Sequence, residues 1–247
     1  MGKIDEAIKQ KEELIQLLGE RKQILIQNAV TKGLNPNTPM KPSGIEWIGD
    51  IPEHWEVKPG FCFIKERKTK NIGMKRSTVL SLSYGNVIIK PKEKLTGLVP
   101  ESFETYQLVD PGDIIIRPTD MQNDHTSLRT GLAKDHGIIT SAYLNLEVKD
   151  NQHSEYIYNY LHNIDTNKVI YGLGSGLRQN LDFGDFKRFP FLLVPKEEQQ
   201  KIVEHIQTQS TKIDQAIDQA KEGIEKLKEY KSSLINSAVT GKIRVNG

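Results

Sequence analysis

The two ends of the chain repeat each other, and this internal repeat limits the possible folds more than any other feature. When the 247-residue sequence is shifted by 209 positions against itself, residues 4–34 align with residues 213–243, and 15 of the 31 pairs are identical. Amphipathic helices of biased composition could converge on similar spacing. Both copies, however, also end in Ala-Val-Thr, which amphipathicity does not require. The repeat therefore indicates duplication of one element.

Both copies have the periodicity of long helices. In the second copy, an apolar residue recurs every seven positions, at Ile206, Ile213, Ala220, Leu227 and Leu234. Such a row predicts a coiled-coil seam, and Gly33 and Gly241 predict where the two helices end. If the globular middle lies at one end, the first helix enters it and the second leaves it, which predicts an antiparallel pair. A helical bundle packed onto the middle domain as ordinary core is the alternative.

The residues between the helices form a different kind of sequence. Prolines interrupt residues 33–59, where apolar residues including Trp47 and Trp55 favour packing over a flexible linker. Short β-type runs then alternate with turn residues, at 78–82, 86–89, 113–116 and 142–146, and a helix is expected from Ser154 to Asn163. We therefore predict an α+β fold, with one mixed α/β domain flanked by two long helices.

Composition excludes several classes of protein. A single cysteine, Cys62, rules out both a disulfide framework and a multi-cysteine zinc site, and suits a reducing cytoplasm. No apolar run approaches the roughly 20 residues that span a bilayer, and the first residues lack a signal-peptide core. We therefore expect a cytoplasmic protein. Its 34 basic and 32 acidic residues leave a net charge of only +2, which argues against a uniformly basic nucleic-acid binder.

The near-neutral total conceals a local basic segment at residues 65–76. It holds six basic residues and one acid, Glu66, and therefore has an excess of +5. The basic residues are Lys65, Arg67, Lys68, Lys70, Lys75 and Arg76. Such a segment would attract phosphates, although a run of charges is also typical of an ordinary solvated face.

Two polar stretches carry side chains that can read base edges, at residues 117–129 and 172–180. Arginine can donate two hydrogen bonds to guanine, and asparagine or glutamine can form the matching pair with adenine. The candidates are Arg117, Thr119, Gln122, Asn123, Arg129, Ser175, Arg178, Gln179 and Asn180. Turn capping and local backbone hydrogen bonding are the alternative roles for these residues.

Enzyme motifs are weak in this sequence. The glycines at 172–176 match neither the dinucleotide-binding fingerprint nor the phosphate-loop pattern. Asp113, Glu147 and Lys149 could imitate the carboxylate and lysine set of a metal-dependent nuclease, but such a set often occurs by chance. The histidines show no metal-ligand spacing. We therefore expect no catalytic residue, no metal and no cofactor.

Residues 40–57, MKPSGIEWIGDIPEHWEV, closely resemble the beginning of a target recognition domain in the DNA-specificity subunits of type I restriction-modification enzymes. Gln179-Asn180-Leu181, Phe186 and residues 195–202 resemble the end of that domain and the start of the family's spacer helix. The Ala-Val-Thr endings resemble those of its two spacer helices. The likeness covers essentially the whole chain.

The resemblance implies a noncatalytic subunit that recognises double-stranded DNA. In this family it docks modification subunits that methylate adenine, and motor-nuclease subunits join them for restriction. By this likeness, residues 1–33 and 195–247 are spacer helices that pair as an antiparallel coiled coil, and residues 34–194 are the target recognition domain.

The chain departs from the family in carrying one recognition domain instead of the usual two. We therefore expect a homodimer that reads an inverted repeat. A metal-dependent nuclease and a coiled-coil scaffold without a nucleic-acid role remain the alternatives.

Overall fold

The computed structural model describes residues 2–91, 102–124, 126–150, 152–173 and 180–241. The chain divides into two units, one formed by residues 1–26 and 204–247 and the other by residues 27–203. Its helices are α1 (Gly2–Lys32), α2 (Ser154–Thr166), α3 (Phe183–Arg188) and α4 (Lys196–Val239). No helix among the described residues is both long and apolar enough to cross a membrane.

Twelve short strands lie between α1 and α4 in the described residues. They are β1 (Met40–Pro42), β2 (Asp50–Pro52), β3 (Glu56–Pro59), β4 (Ile64–Glu66), β5 (Leu80–Ser83), β6 (Asn86–Ile89), β7 (Gln107–Val109), β8 (Ile114–Ile116), β9 (Thr130–Leu132), β10 (Gly137–Ile139), β11 (Leu144–Val148) and β12 (Pro190–Leu193). The mixed α/β middle and its long flanking helices confirm the predicted fold class. The boundaries of the three expected domains remain a prediction.

The first unit is an antiparallel pairing of α1 with α4. Lys22 near the end of α1 binds Asp214, with 2.7 Å between Nζ and Oδ2, whereas Asp5 near its start binds Lys231. Ile213 and Ala220 of the predicted heptad row are buried. The heptad spacing therefore identified the face of α4 that packs, and the ion pairs confirm that the two helices run in opposite directions.

The second unit is built around a four-stranded antiparallel sheet with the order β4-β11-β8-β9. The central strand β8 is three consecutive isoleucines, all fully buried. Because neighbouring residues of a strand face opposite sides of the sheet, such a run is typical of a sheet covered on both faces. Ile115 packs in a cluster with Leu80, Val109, Ala133 and Ile139. Helix α2 packs against β9.

Residues 40–57, which carry the family resemblance, pack against other elements of the second unit. The Trp47 ring lies 5.9 Å from the rings of both Tyr160 and Phe189, between centroids. Trp55 is fully buried, and its indole N–H donates a 3.0 Å hydrogen bond to Glu198 in the first turn of α4. The two tryptophans therefore pack the connector against α2 and the start of α4, as their apolar character predicted.

Candidate nucleic-acid interface

The basic segment 65–76 folds against acidic residues from distant strands. Lys65 lies directly opposite Glu147 across the β4–β11 pair, and their side chains form a 2.9 Å ion pair. Arg67 is only 19% exposed and binds three carboxylates, with 2.9 Å to Asp113, 3.2 Å to Asp110 and 3.2 Å to Glu147. Arg67 therefore holds strands together in the fold and is not positioned as a free phosphate ligand.

Arg76 has a similar environment. Its guanidinium donates to the carbonyl oxygen of Val109 at 2.6 Å and binds Asp110 at 2.7 Å. Burial by itself would raise the pKa of Asp110, but hydrogen bonds from Arg76 and His136, together with the charges of Arg76 and Arg67, lower it. Asp110 is therefore an ionised link between the two arginines.

The linear excess of positive charge is largely neutralised by folding. Lys68 binds Glu66 at 2.9 Å, so the six basic residues face four carboxylates and a net charge of about +2 remains. Within the described ranges, Lys70 and Lys75 are the two members of the segment that are exposed and have no carboxylate partner. These two lysines are the best placed of the six to meet a phosphate.

The same ion pairs occupy the carboxylates of the nuclease alternative. Asp113 and Glu147 both bind the Arg67 guanidinium, which fills the place that a cation would take between them. Burial raises the pKa of Asp113, although the Arg67 charge opposes this. No group of three or more potential metal ligands occurs in the part of the chain that the structure describes. The arrangement is that of an ion-pair network.

The first of the two polar stretches, residues 117–129, connects β8 to β9, and Arg129 anchors the described part of this loop. This arginine is fully buried. Its guanidinium donates hydrogen bonds to the carbonyl oxygens of Thr119 and Asp124, both at 2.6 Å, and of Asp120 at 3.0 Å. Its Nε donates to the Tyr171 hydroxyl at 3.2 Å. A side chain so enclosed lies away from any base edge, which argues against the direct base contact expected from the sequence.

A buried carboxylate on α2 supports the end of this loop. Asp165 Oδ2 accepts hydrogen bonds from the backbone N–H groups of Arg129, at 2.6 Å, and of Thr130, at 3.0 Å. Neither Asp165 nor Tyr171 was among the residues expected from the sequence to matter. Asp165 lies on the apolar face of α2, after Tyr160, Leu161 and Ile164, but two residues beyond Asn163, where the sequence predicted the helix to end.

Asp124 shapes the exposed part of the loop. The backbone N–H of Ser127 donates to its carboxylate at 2.9 Å, and that of Thr126 at 3.2 Å. These bonds, with that of Ser127 foremost, hold the pKa of Asp124 well below its ordinary value. Asp120 takes a left-handed backbone conformation, with φ of 63°, which non-glycine residues adopt rarely. The described residues of the loop therefore form defined turns at Asp120 and after Asp124.

Four of the predicted base-reading residues line one cavity of about 410 Å³. They are Thr119, Gln122, Asn123 and Asn180, and Asp120 completes the wall. Asn123 donates a 2.8 Å hydrogen bond to Asp120, while the backbone N–H of Leu181 donates to the Pro118 carbonyl at 2.9 Å. The latter bond places Asn180 beside the loop although it is more than fifty residues away in the chain.

The remaining predicted residues divide into two groups. Arg117 is 42% exposed at its side chain and lies 3.6 Å from an Asp124 carboxylate oxygen. Its exposure leaves it accessible to a nucleic acid. Ser175, Arg178 and Gln179 lie outside the described residues.

Comparisons with known proteins identify the type of domain. A family model described as the type I restriction modification DNA specificity domain matches residues 52–226. A solved structure from a study of complex assembly and conformational transition of the type I R-M system is 14% identical and has a TM-score of 0.60. This match covers 96% of the present chain and 57% of the other, and at such low identity it shows a shared fold.

Two further solved structures are more distant. The HsdS subunit from Thermoanaerobacter tengcongensis is 15% identical, with a TM-score of 0.49, over 98% of this chain. The S subunit of a type I restriction-modification system from M. genitalium is 12% identical, with a TM-score of 0.47, over 94% of this chain. The present chain spans 57% of the length of each. A search of curated proteins found no match.

Proposed function

The chain belongs to the family of type I restriction-modification DNA specificity domains, and from this membership we propose that it is a noncatalytic subunit that recognises a specific DNA sequence. In this role it directs adenine methylation by modification subunits and, with motor-nuclease subunits, restriction. The chain itself contributes recognition and spacing, while the partner subunits contribute the chemistry.

The observation that carries this proposal is the cavity of the 117–129 loop. Thr119, Gln122, Asn123 and Asn180 bring hydroxyl and amide groups, which hydrogen-bond base edges, to one accessible place. The buried guanidinium of Arg129 holds the loop backbone at Thr119, Asp120 and Asp124, and the bond from Leu181 to Pro118 holds Asn180 beside it, so the polar side chains stand on a supported backbone. A preorganised set of donors and acceptors loses less conformational entropy on binding than a flexible loop does.

Sequence-independent affinity would come from phosphate contacts. Lys70 and Lys75 are exposed and unpaired among the described residues, and we assign them to this role ahead of Lys65 and Lys68, which bind carboxylates. Each phosphate that a lysine neutralises steepens the dependence of log affinity on log salt by about 0.9. Phosphate contacts position the protein, and base contacts select the sequence.

The paired helices support the proposal that two copies associate. Asp5 and Asp214 occupy the same position of the internal repeat, as do Lys22 and Lys231. The ion pairs Lys22–Asp214 and Lys231–Asp5 are therefore the same contact made twice, with the roles of the two helices exchanged. Both contacts lie within one chain, and they give its helix pair the self-complementary character that surfaces in symmetric dimers have. A dimer would provide two recognition domains and would read an inverted repeat.

Selection of DNA by the full-length chain tests the proposal. The chain is incubated with a pool of random-sequence duplexes, and the bound fraction is recovered and sequenced. We expect enrichment of one motif with two-fold symmetry, together with a dimer in sedimentation velocity. Bound DNA that is indistinguishable from the starting pool would remove sequence-specific recognition. A monomer, both with and without the selected duplex and a modification subunit, would remove self-association.

A further inference from the structure

The β5–β6 hairpin ends in a turn that its sequence does not favour. Ser83 pairs with Asn86, so only Tyr84 and Gly85 form the turn, and their φ angles are 48° and 76°. Two-residue hairpin turns with positive φ at both positions favour Asn-Gly or Gly-Gly. A bulky aromatic residue at the first position is destabilising, because its Cβ is crowded in left-handed backbone.

The turn gains a hydrogen bond through its backbone, because the Asn86 side-chain amide donates to the Tyr84 carbonyl at 3.2 Å. Among the described residues, however, no hydrogen bond or ring contact of the Tyr84 side chain compensates for its conformation. Tyr84 is 92% exposed, which makes it the most exposed of the large apolar and aromatic side chains in the described chain. Within those same residues, its ring makes no aromatic contact and its hydroxyl has no hydrogen-bond partner. The side chain therefore costs stability and contributes no packing. An apolar ring held in this way is suited to contact with a molecule outside the chain.

The hairpin tip lies beside the candidate base-reading loop. A Cβ atom added to Gly85 would meet Cδ1 of Leu128, a residue of the 117–129 loop, at 2.8 Å. The Tyr158 hydroxyl donates to the Gly85 carbonyl at 3.4 Å, and Leu82 packs closely on Gly131 of β9. The tip is thus fixed against Leu128, which precedes Arg129 at the end of that loop, and the hairpin packs on β9. It is also narrow, and a two-stranded ribbon is one of the shapes that the major groove of DNA admits.

We propose that Tyr84 is a DNA-contacting residue, whose ring packs against bases in a groove while the adjacent loop reads hydrogen-bonding edges. This inference rests on the proposed function, because it takes duplex DNA to be the ligand. The strained turn directs the ring away from the hairpin, and the neighbouring Gly85 permits close packing on Leu128. Because base faces in a duplex are covered by stacking, the ring would meet base edges and the thymine methyl group. Truncation of a side chain that matters at an interface weakens binding by about fivefold or more.

The substitution Tyr84→Asn separates this role from a structural one, because the two predict effects of opposite sign. Asparagine tolerates left-handed backbone and suits the turn, so Tyr84→Asn should raise the midpoint of urea unfolding. The same variant should bind the duplex selected by the wild-type chain more weakly, by about fivefold or more. The matched control, Tyr84→Phe, keeps the ring and should retain wild-type affinity.

Affinities are measured by fluorescence anisotropy with that selected duplex, and stabilities by urea unfolding of the same preparations. Wild-type affinity in Tyr84→Asn would overturn the assignment, as would a loss of affinity that accompanies a loss of stability. Equal weakening in Tyr84→Phe and Tyr84→Asn would assign the contact to the hydroxyl and refute a ring contact. If the wild-type chain selects no duplex, the proposed function fails first, and this inference fails with it.

Discussion

Replacing Arg129 by alanine tests whether this residue supports the backbone of the 117–129 loop or contacts DNA directly. The substitution removes the guanidinium donors to the carbonyl oxygens of Thr119 and Asp124, each at 2.6 Å, and of Asp120 at 3.0 Å. Hydrogen bonds that involve a charged group contribute about 1.5–3 kcal/mol each. Since water can enter the vacated space and satisfy some acceptors, we expect the free energy of unfolding to fall by about 3–5 kcal/mol.

The assay combines urea unfolding with duplex selection for Arg129→Ala and a control, Gln122→Ala. Gln122 is exposed on the same loop and lines the cavity, so its truncation should lower the free energy of unfolding by only about 0.5–1.5 kcal/mol, well below the loss in Arg129→Ala. It should nevertheless relax selection at one base pair by about 1–3 kcal/mol. Arg129→Ala should instead lose stability and weaken selection at every position that the loop reads, because the loop loses its shape.

The opposite pattern would refute this reasoning. If Arg129→Ala unfolds at the wild-type urea concentration and loses discrimination at a single base pair, Arg129 contacts a base and the buried position seen here is not the DNA-bound one. Equal losses of unfolding free energy in both variants would show that the loop structure depends on Gln122 as much as on Arg129. A role for Gln122 in base contact alone would then be refuted. The two measurements together therefore assign each residue a role.

Three further predictions concern phosphate contact, the packing of the tryptophans and pH. Lys70→Gln should weaken binding to all duplexes equally and lower the salt slope by about 0.9, measured by anisotropy over a salt series; a loss confined to the selected duplex would contradict this. Trp55→Phe removes the N–H that donates to Glu198 and should lower the free energy of unfolding by about 1–2 kcal/mol in urea, whereas an unchanged value would show that water replaces the bond. Because the fold lowers the pKa of Asp124 below its ordinary 3.8, its carboxylate stabilises the folded chain above that pH, and the contribution is lost on acidification. Unfolding free energies measured below about pH 4 should therefore fall less steeply for Asp124→Asn than for wild type, and parallel curves would contradict the role of this turn.

The long helices and the buried strand were predictable from sequence because their patterns are local. A heptad row needs only its own residues to define a packing face, and Ile213 and Ala220 are buried as that row predicts. Gly33 and Gly241 have φ of 73° and 72°, the left-handed conformation expected just beyond the end of a helix. Three isoleucines in succession likewise predicted a strand at β8 without information from elsewhere in the chain.

The charge pattern was not predictable in the same way. The excess of +5 at residues 65–76 is correct as a count, but its compensation depends on Asp110, Asp113 and Glu147, which lie far along the chain. They meet Arg67 only because β4 and β8 both pair with β11. A sequence pattern does not reveal which strands become neighbours. The linear count of charges therefore overestimates the net positive charge that residues 65–76 have in the fold.

The arrangement of the 117–129 loop was likewise only partly predictable from the sequence. Asn180 joins the cavity of Gln122 and Asn123 through a backbone bond between Leu181 and Pro118, a long-range contact without a sequence signal. Arg129 has the chemistry of a base reader, and only its burial reveals that it binds the loop backbone. Residue type alone therefore selects this loop as a candidate but does not separate the groups that support its backbone from those that it exposes.

The most direct test of the account is a map of adenine methylation. DNA is incubated with the full-length chain and its modification subunit, and with the modification subunit alone, and every methylated adenine is located. If the chain selects the DNA sequence, methylation in the complete mixture will be confined to sites that share one sequence with two-fold symmetry. Methylation that is scattered without a common sequence, or is the same with and without the chain, would contradict it.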